Sequence, residues 1–212
     1  MKKYGIGLLF ALVGITALIG FNGVSAKNLS IAEKFANTGV AAESGTYNFD
    51  VNHSAIGFEV KHMRLIYVPG YFTDFSGTIN YNADDETKSS VEFTAKTTSV
   101  DTRVEGRNKH LRSADFFDVE NHPEMTFKST KVAKSGDKLM VTGDFTLRGV
   151  TKSITIPVKV AGFAEGRGGK VMGAMSETTI DRTAYGVNYN PEGNVISKDV
   201  KVILNVEARQ AK

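Results

Sequence analysis

From Gly45 onward the apolar residues recur at every second position, the spacing that lines one face of an extended strand. Ile56, Phe58 and Val60 share one side of such a segment, and Gly57, Glu59 and Lys61 share the other. The alternation returns at Val91, Phe93, Ala95, at Ile154, Ile156, Val158, Val160, and at Val200, Val202, Leu204, Val206. Turn-forming clusters separate the runs at Asn82 to Ser90, Ser135 to Lys138, Arg167 to Lys170 and Pro191 to Asn194. About nine strands follow from this punctuation, with one or two continuous with a neighbour: Thr46 to Asp50, Ser54 to Lys61, Tyr71 to Tyr81, Val91 to Thr97, Met125 to Val132, Leu139 to Leu147, Ser153 to Phe163, Val171 to Asp181 and Val200 to Ala208. No long helical period alternates with them, so the pairing is expected to be antiparallel and the chain all-β. A sandwich and a closed barrel both satisfy the pattern. Closure removes the two exposed edges, and about eight strands enclose just enough space for one small ligand.

Large rings stand on the apolar faces at Phe58, Phe72, Phe75, Phe93, Phe127 and Phe145, with Val60 beside Phe58. Gly57, Gly70, Gly77, Gly143 and Gly173 lie in or next to strands, where glycine permits a bend or the close approach of a ligand. The same phenylalanines would equally fill a solid core. Periodicity does not separate a hollow interior from a packed one.

Between Thr102 and Asp118 the alternation stops, and Arg103, Arg107, Lys109, His110 and Arg112 fall within ten residues against a single acid, Glu105. A short helix near 103–118 would bring Arg103, Arg107 and His110 onto one face, at i, i+4 and i+7. Such a face suits a phosphate or carboxylate, which makes Arg107 and His110 candidates for a polar head group. Arg112, three residues before Asp115, is expected to form an ordinary ion pair.

The remaining chemistry is mostly excluded. There is no cysteine and no tryptophan, which removes disulfides, thiolate catalysis, cysteine-held metals and lipid attachment through cysteine. No two of His53, His62, His110 and His122 are three to five residues apart, so no local metal site is indicated. Ser54 beside His53 would point to the opposite face of a strand, and isolated acids such as Asp101, Asp115, Asp118 and Asp144 fit turns and strand ends. No catalytic residue, metal ligand or cofactor is assigned.

Lys2 and Lys3 followed by the uncharged run Gly5 to Phe21, then Val24, Ser25 and Ala26, have the form of a secretory signal peptide over 1–26, cleaved after Ala26. An uncleaved anchor is the alternative, since Tyr4 to Ala26 carries no charge. Either way the domain is expected outside the cytoplasm, in the periplasm. Residues 27–44 read as a mobile extension and 45–210 as the single domain. The chain of 212 residues carries 26 Lys and Arg against 23 Asp and Glu. The first 26 residues hold two of the lysines and no acid, so the other 186 carry 24 basic and 23 acidic side chains. That near-neutrality argues against a protein that works by neutralising nucleic-acid phosphates.

Several motifs then occur in a recognisable order. Tyr47, Asp50, His53, Ser54, Phe58 and His62 fit YxxDxxHSxxxFxxxH, and Val68, Gly70, Phe72, Phe75 and Gly77 fit VxGxFxxFxG. Thr98 to Thr102 reads TSVDT, Arg107 to Ser129 reads RxxHLRSxDFFDxxxxPxxxFxS, and Gly143 to Lys152 reads GDFTLRGVTK. In this the sequence resembles the YceI-like family of exported polyisoprenoid-binding proteins over Tyr47 to Ala208. It departs from the family pattern at Asn108, where Asp is frequent, and at Arg64 and Ile66, where small residues are common. The resemblance implies an extended, lipocalin-like antiparallel β-barrel that shields a long isoprenoid, such as a polyprenyl phosphate or an isoprenoid quinone, for transport, storage or scavenging. The tail would lie along Phe58, Val60, Phe72, Phe75, Phe93, Phe127 and Phe145, and the basic segment with Arg107 and His110 is the candidate mouth. The partners expected are the lipid itself, a transient contact with a membrane and a second copy of the chain, with no nucleic acid. An enzyme acting on an isoprenoid or small anionic substrate through Arg107, His110 and Asp115 is the alternative.

Overall fold

The computed structural model describes residues 39–212. The signal segment 1–26 and residues 27–38 of the extension lie outside the described residues. Eleven strands follow: β1 (Gly45–Phe49), β2 (Ala55–His62), β3 (Ile66–Phe72), β4 (Phe75–Tyr81), β5 (Ser90–Lys96), β6 (Val100–Asp101), β7 (Glu124–Ser135), β8 (Lys138–Leu147), β9 (Val150–Gly166), β10 (Gly169–Asp181) and β11 (Ile196–Gln210), with the helix α1 (Glu105–Arg112) between β6 and β7. Every pairing is antiparallel.

Eleven segments make eight long strands because the first three are each broken once. β1 and β2 pair with opposite ends of β11, β4 and β3 pair with β1 and β2, and β5 and β6 pair with β4 and β3. The order then runs β5, β7, β8, β9, β10, β11 and back to β1, so the sheet closes on itself as an up-and-down barrel. The break in the first strand is held by side chains. Ser54 Oγ donates to the Glu207 carbonyl at 3.1 Å and accepts the Glu207 N–H at 3.0 Å, so the hydroxyl replaces ladder bonds lost between β1 and β2.

The strand from Ile66 to Gly70 is absent from the sequence expectation, which starts a strand only at Tyr71. Pro69 is tolerated because β6 reaches only Tyr71 and Phe72, leaving β3 an open edge on that side where no amide is needed. Gly70 lies opposite Phe58, and a Cβ there would stand 2.3 Å from the ring Cζ. What approaches closely at this glycine is a side chain of the wall, not a guest. Gly77 likewise makes room for the Phe49 ring.

The wall is also partly unpaired between β9 and β10. β9 bonds to β8 over Val150–Val158 but to β10 only from Val158 onward, and β10 beyond Ser176 bonds to β11 alone. Residues 150–157 and 177–181 therefore face each other across a seam with no ladder bonds. The last residues before the domain are tied down: Lys170 and Gln210 donate to the Glu43 carboxylate, and Val40 packs on the cluster around Tyr47, Phe163 and Met172.

Candidate functional site

The inward faces of the strands touch in places, as where Leu204 of β11 packs against the cluster of Phe127, Val141 and Ile156, but do not fill the barrel. They enclose a cavity of about 230 Å³. An engineered apolar cavity of about 150 Å³ is already enough to bind benzene. The lining on β11 runs from Ile196 to Val206, about 33 Å of strand, or about 25 Å along the axis of a barrel with ordinary strand tilt. Phe93, Phe127 and Phe145 stand side by side across β5, β7 and β8, forming one aromatic row along the wall. Facing elements add Phe58 and Phe72, whose ring centres are 5.8 Å apart, and Val60. Phe75 is buried in the same cluster as Phe72, Met125 and Leu147 but is not among the residues that line the cavity.

α1 begins at Glu105, two residues after the basic run does. Arg103 lies before it in the left-handed region (φ 64°), so the expected face of Arg103, Arg107 and His110 does not form. The connection turns on a buried amide. Asn108 Oδ1 accepts from the N–H and hydroxyl of Thr102 at 2.8 and 2.6 Å, while its Nδ2 donates to Asp101. Arg107 is drawn into the same knot, its Nε donating to Thr102 Oγ1 at 2.8 Å and Nη2 to the Thr102 carbonyl at 2.9 Å. His110 lies 2.9 Å from Asp115 and packs edge-on against Phe116 and Tyr189. Neither Arg107 nor His110 lines the cavity. Arg112 pairs with Glu105 at 3.1 Å, not with Asp115, whose carboxylate His110 takes instead. What this segment gives the cavity is apolar: Leu111, Phe116 and Phe117.

The charged residue at the cavity is Arg182, which follows β10. Only 4% of it is exposed. Its guanidinium donates to four backbone carbonyls, of Ser197, Val187, Asn190 and Ile196, at 2.6–3.3 Å. No carboxylate pairs with it among the described residues, and burial pushes its pKa below the ordinary arginine value. The cavity thus carries a positive charge at the α1 end, held by backbone carbonyls and favoured electrostatically by Asp181. Along the same inward face of β10 lie Thr178 and Ser176. Ser176 Oγ is buried without a hydrogen-bond partner, so a hydroxyl stands ready inside the apolar wall. Sequence reasoning missed both residues; an arginine following a strand of alternating small polar residues was the available signal. A second hollow of about 200 Å³ lies at the seam, lined by Lys152, Thr155, Thr179 and Asp181, and shares Ile154, Thr178 and Ile180 with the main cavity.

The Asp50, His53 and Glu207 side chains lie within 4.8 Å of one another, but they form an ion-pair cluster. Asp50 accepts from His53 Nδ1 at 2.9 Å, from Arg209 Nε and from the Asn52 N–H. The histidine and arginine bonds, in that order, hold its pKa at about 2.

A closed antiparallel barrel around an elongated apolar cavity defines a protein built to hold a greasy guest. The chain belongs to the YceI-like family: the YceI-like domain matches residues 47–208. Protein YceI of Shigella flexneri is 38% identical over 180 residues, covering 84% of this chain and 92% of the relative. That of Salmonella newport is 36% identical over 192 residues, 88% and 99% of the two chains. The Campylobacter jejuni YCEI crystal structure superposes with a TM-score of 0.65 at 29% identity, covering 72% of this chain and 90% of that one. A polyisoprenoid binding domain from Saccharophagus degradans, 17% identical, shares the fold at a TM-score of 0.60 over 80% of this chain and all of its own.

Proposed function

We propose that this protein is an exported carrier that shields a long isoprenoid lipid, a polyprenyl phosphate or an isoprenoid quinone, inside the barrel. The observation that carries the reading is the continuous apolar cavity, in which phenylalanine and aliphatic side chains take the place of water. Burial contributes about 0.8 kcal/mol per CH₂. A few isoprene units therefore offset much of the roughly 4–15 kcal/mol that association costs. The tail lies along the row of Phe93, Phe127 and Phe145, and the polar head lies toward Arg182, the buried positive charge at the α1 end. Arg107 has no part in holding the head, because Thr102 occupies it.

Native mass spectrometry of protein recovered from periplasm tests the reading. The expected spectrum shows a polypeptide beginning at Lys27 with one bound lipid. Phe127→Asp loses the lipid, Arg182→Lys retains an anionic lipid less well than the parent, and Arg107→Ala retains it unchanged. Repeated recovery of empty wild-type barrel from its own compartment overturns the lipid assignment.

A further inference from the structure

One surface feature lies outside the lipid cavity. At the tip of the β2–β3 hairpin Met63, Leu65, Ile66 and Tyr67 are 56%, 77%, 60% and 57% exposed. Val195 adds to the patch from the preceding loop of β11, where its carbonyl accepts the Met63 N–H at 2.7 Å. A contiguous apolar patch of this kind marks an interaction surface in a water-soluble fold.

The turn itself is built at a steric cost. The Leu65 N–H donates to the His62 carbonyl at 2.9 Å, with Met63 (φ 49°) and Arg64 (φ 60°) between them, both left-handed. Asn-Gly fills this geometry with little strain, and Met-Arg does not. The two side chains are therefore explained by what they present outward and not by the turn they make.

The charge at the tip has one sign. From Val60 to Thr73 the hairpin carries Lys61 and Arg64 and no acid, and the Lys61 ammonium lies 5.7 Å from the Tyr67 ring centre. Apolar side chains flanked by Lys61 and Arg64 match the boundary of a bilayer with anionic head groups. The tip is also continuous with the cavity. Phe58 and Val60 on the same hairpin line it, as does Ile196, the strand partner of His62.

We propose that the β2–β3 tip, residues 63–67 with Val195, docks into the surface of an anionic lipid bilayer and brings the α1 end of the cavity to the membrane. This deepens the lipid-carrier reading and rests on it for its purpose, since it names the bilayer as the place where the guest is taken up or released.

The test is flotation of the purified protein with vesicles of phosphatidylethanolamine and phosphatidylglycerol, against vesicles of phosphatidylcholine alone. Wild type is expected to float with the anionic vesicles. Leu65→Ser with Ile66→Ser abolishes flotation, and Lys61→Gln or Arg64→Gln each weakens it about fivefold, in line with one basic contact to an anionic surface. Met63→Asn with Arg64→Gly keeps the turn, raises the melting temperature and still lowers flotation, which separates docking from folding. The proposal is overturned if wild type stays with the free protein, or if the Met63, Arg64 double variant floats as well as wild type. It is equally overturned if wild type is a dimer that Leu65→Ser with Ile66→Ser splits into monomers while neither floats, because the patch is then a subunit interface. Lipid content measured on the same samples keeps the two readings apart: a barrel that floats but never holds a guest removes the carrier and leaves the docking.

Discussion

Asp50 holds together the place where the first strand breaks. Its carboxylate gathers His53, Arg209 and the Asn52 amide, and its pKa falls from the ordinary 3.8 to about 2. A carboxylate depressed on folding stabilises the native state above its unfolded value and loses that contribution as pH falls through the folded one. The urea midpoint is therefore expected to drop between pH 4 and about pH 2 more steeply in wild type than in Asp50→Asn; parallel profiles would show that the cluster does not couple to folding. Asp50, His53 and Ser54 are positions the family pattern singles out, and here they perform structural work. The inward placing of Phe58, Phe72, Phe93, Phe127 and Phe145 was legible because period-two alternation states which face each ring takes. Arg182 was not legible, because a buried cation without an acid is recognised only when the carbonyls around it are seen. Arg107 misled for a related reason: sequence spacing assigns a face, but Thr102, five residues earlier, claimed the guanidinium.

At the scale of elements, the sequence carries strands well and interruptions poorly. Continuous alternation over Tyr71 to Tyr81 concealed the break between β3 and β4 at Thr73 and Asp74, and the first part of β3, Ile66 to Gly70, which contains Pro69 and Gly70, was not expected. Both depend on what lies alongside, an open edge next to Pro69 and a ring above Gly70. Gly70→Ala tests that account. Its new Cβ meets the Phe58 ring, which must rotate into the cavity or push β3 from β2. A loss of about 1–3 kcal/mol of stability is expected, with weaker lipid retention, read by thermal melts and by mass spectrometry. An unchanged melt with full retention would mean that the ring moves without resistance. The helix was foreseen near 103–118 and shortened to eight residues, because Asp101, Thr102 and Asn108 fix the chain in a knot before it begins.

For the molecule as a whole, closure was one of two architectures that alternation allowed, and the hollow interior was left undecided. What decides both is register. β1 reaching back to β11 closes the ring, and the side chains turned inward leave a cavity between them. The seam between β9 and β10 then has a kinetic consequence. A tube sealed all round admits a polymer only by its end, so filling slows as the polymer lengthens. Here two facing stretches of wall share no ladder bonds and can part without breaking any. Over that stretch, short of the bonded wall that starts where Val158 meets Ser176, a flexible chain can be laid in sideways, like a cord pressed into a hose slit along part of its length. Uptake followed by stopped-flow fluorescence is expected to proceed at nearly the same rate for short and long isoprenoids, and a rate falling in proportion to tail length would show that the slit stays shut.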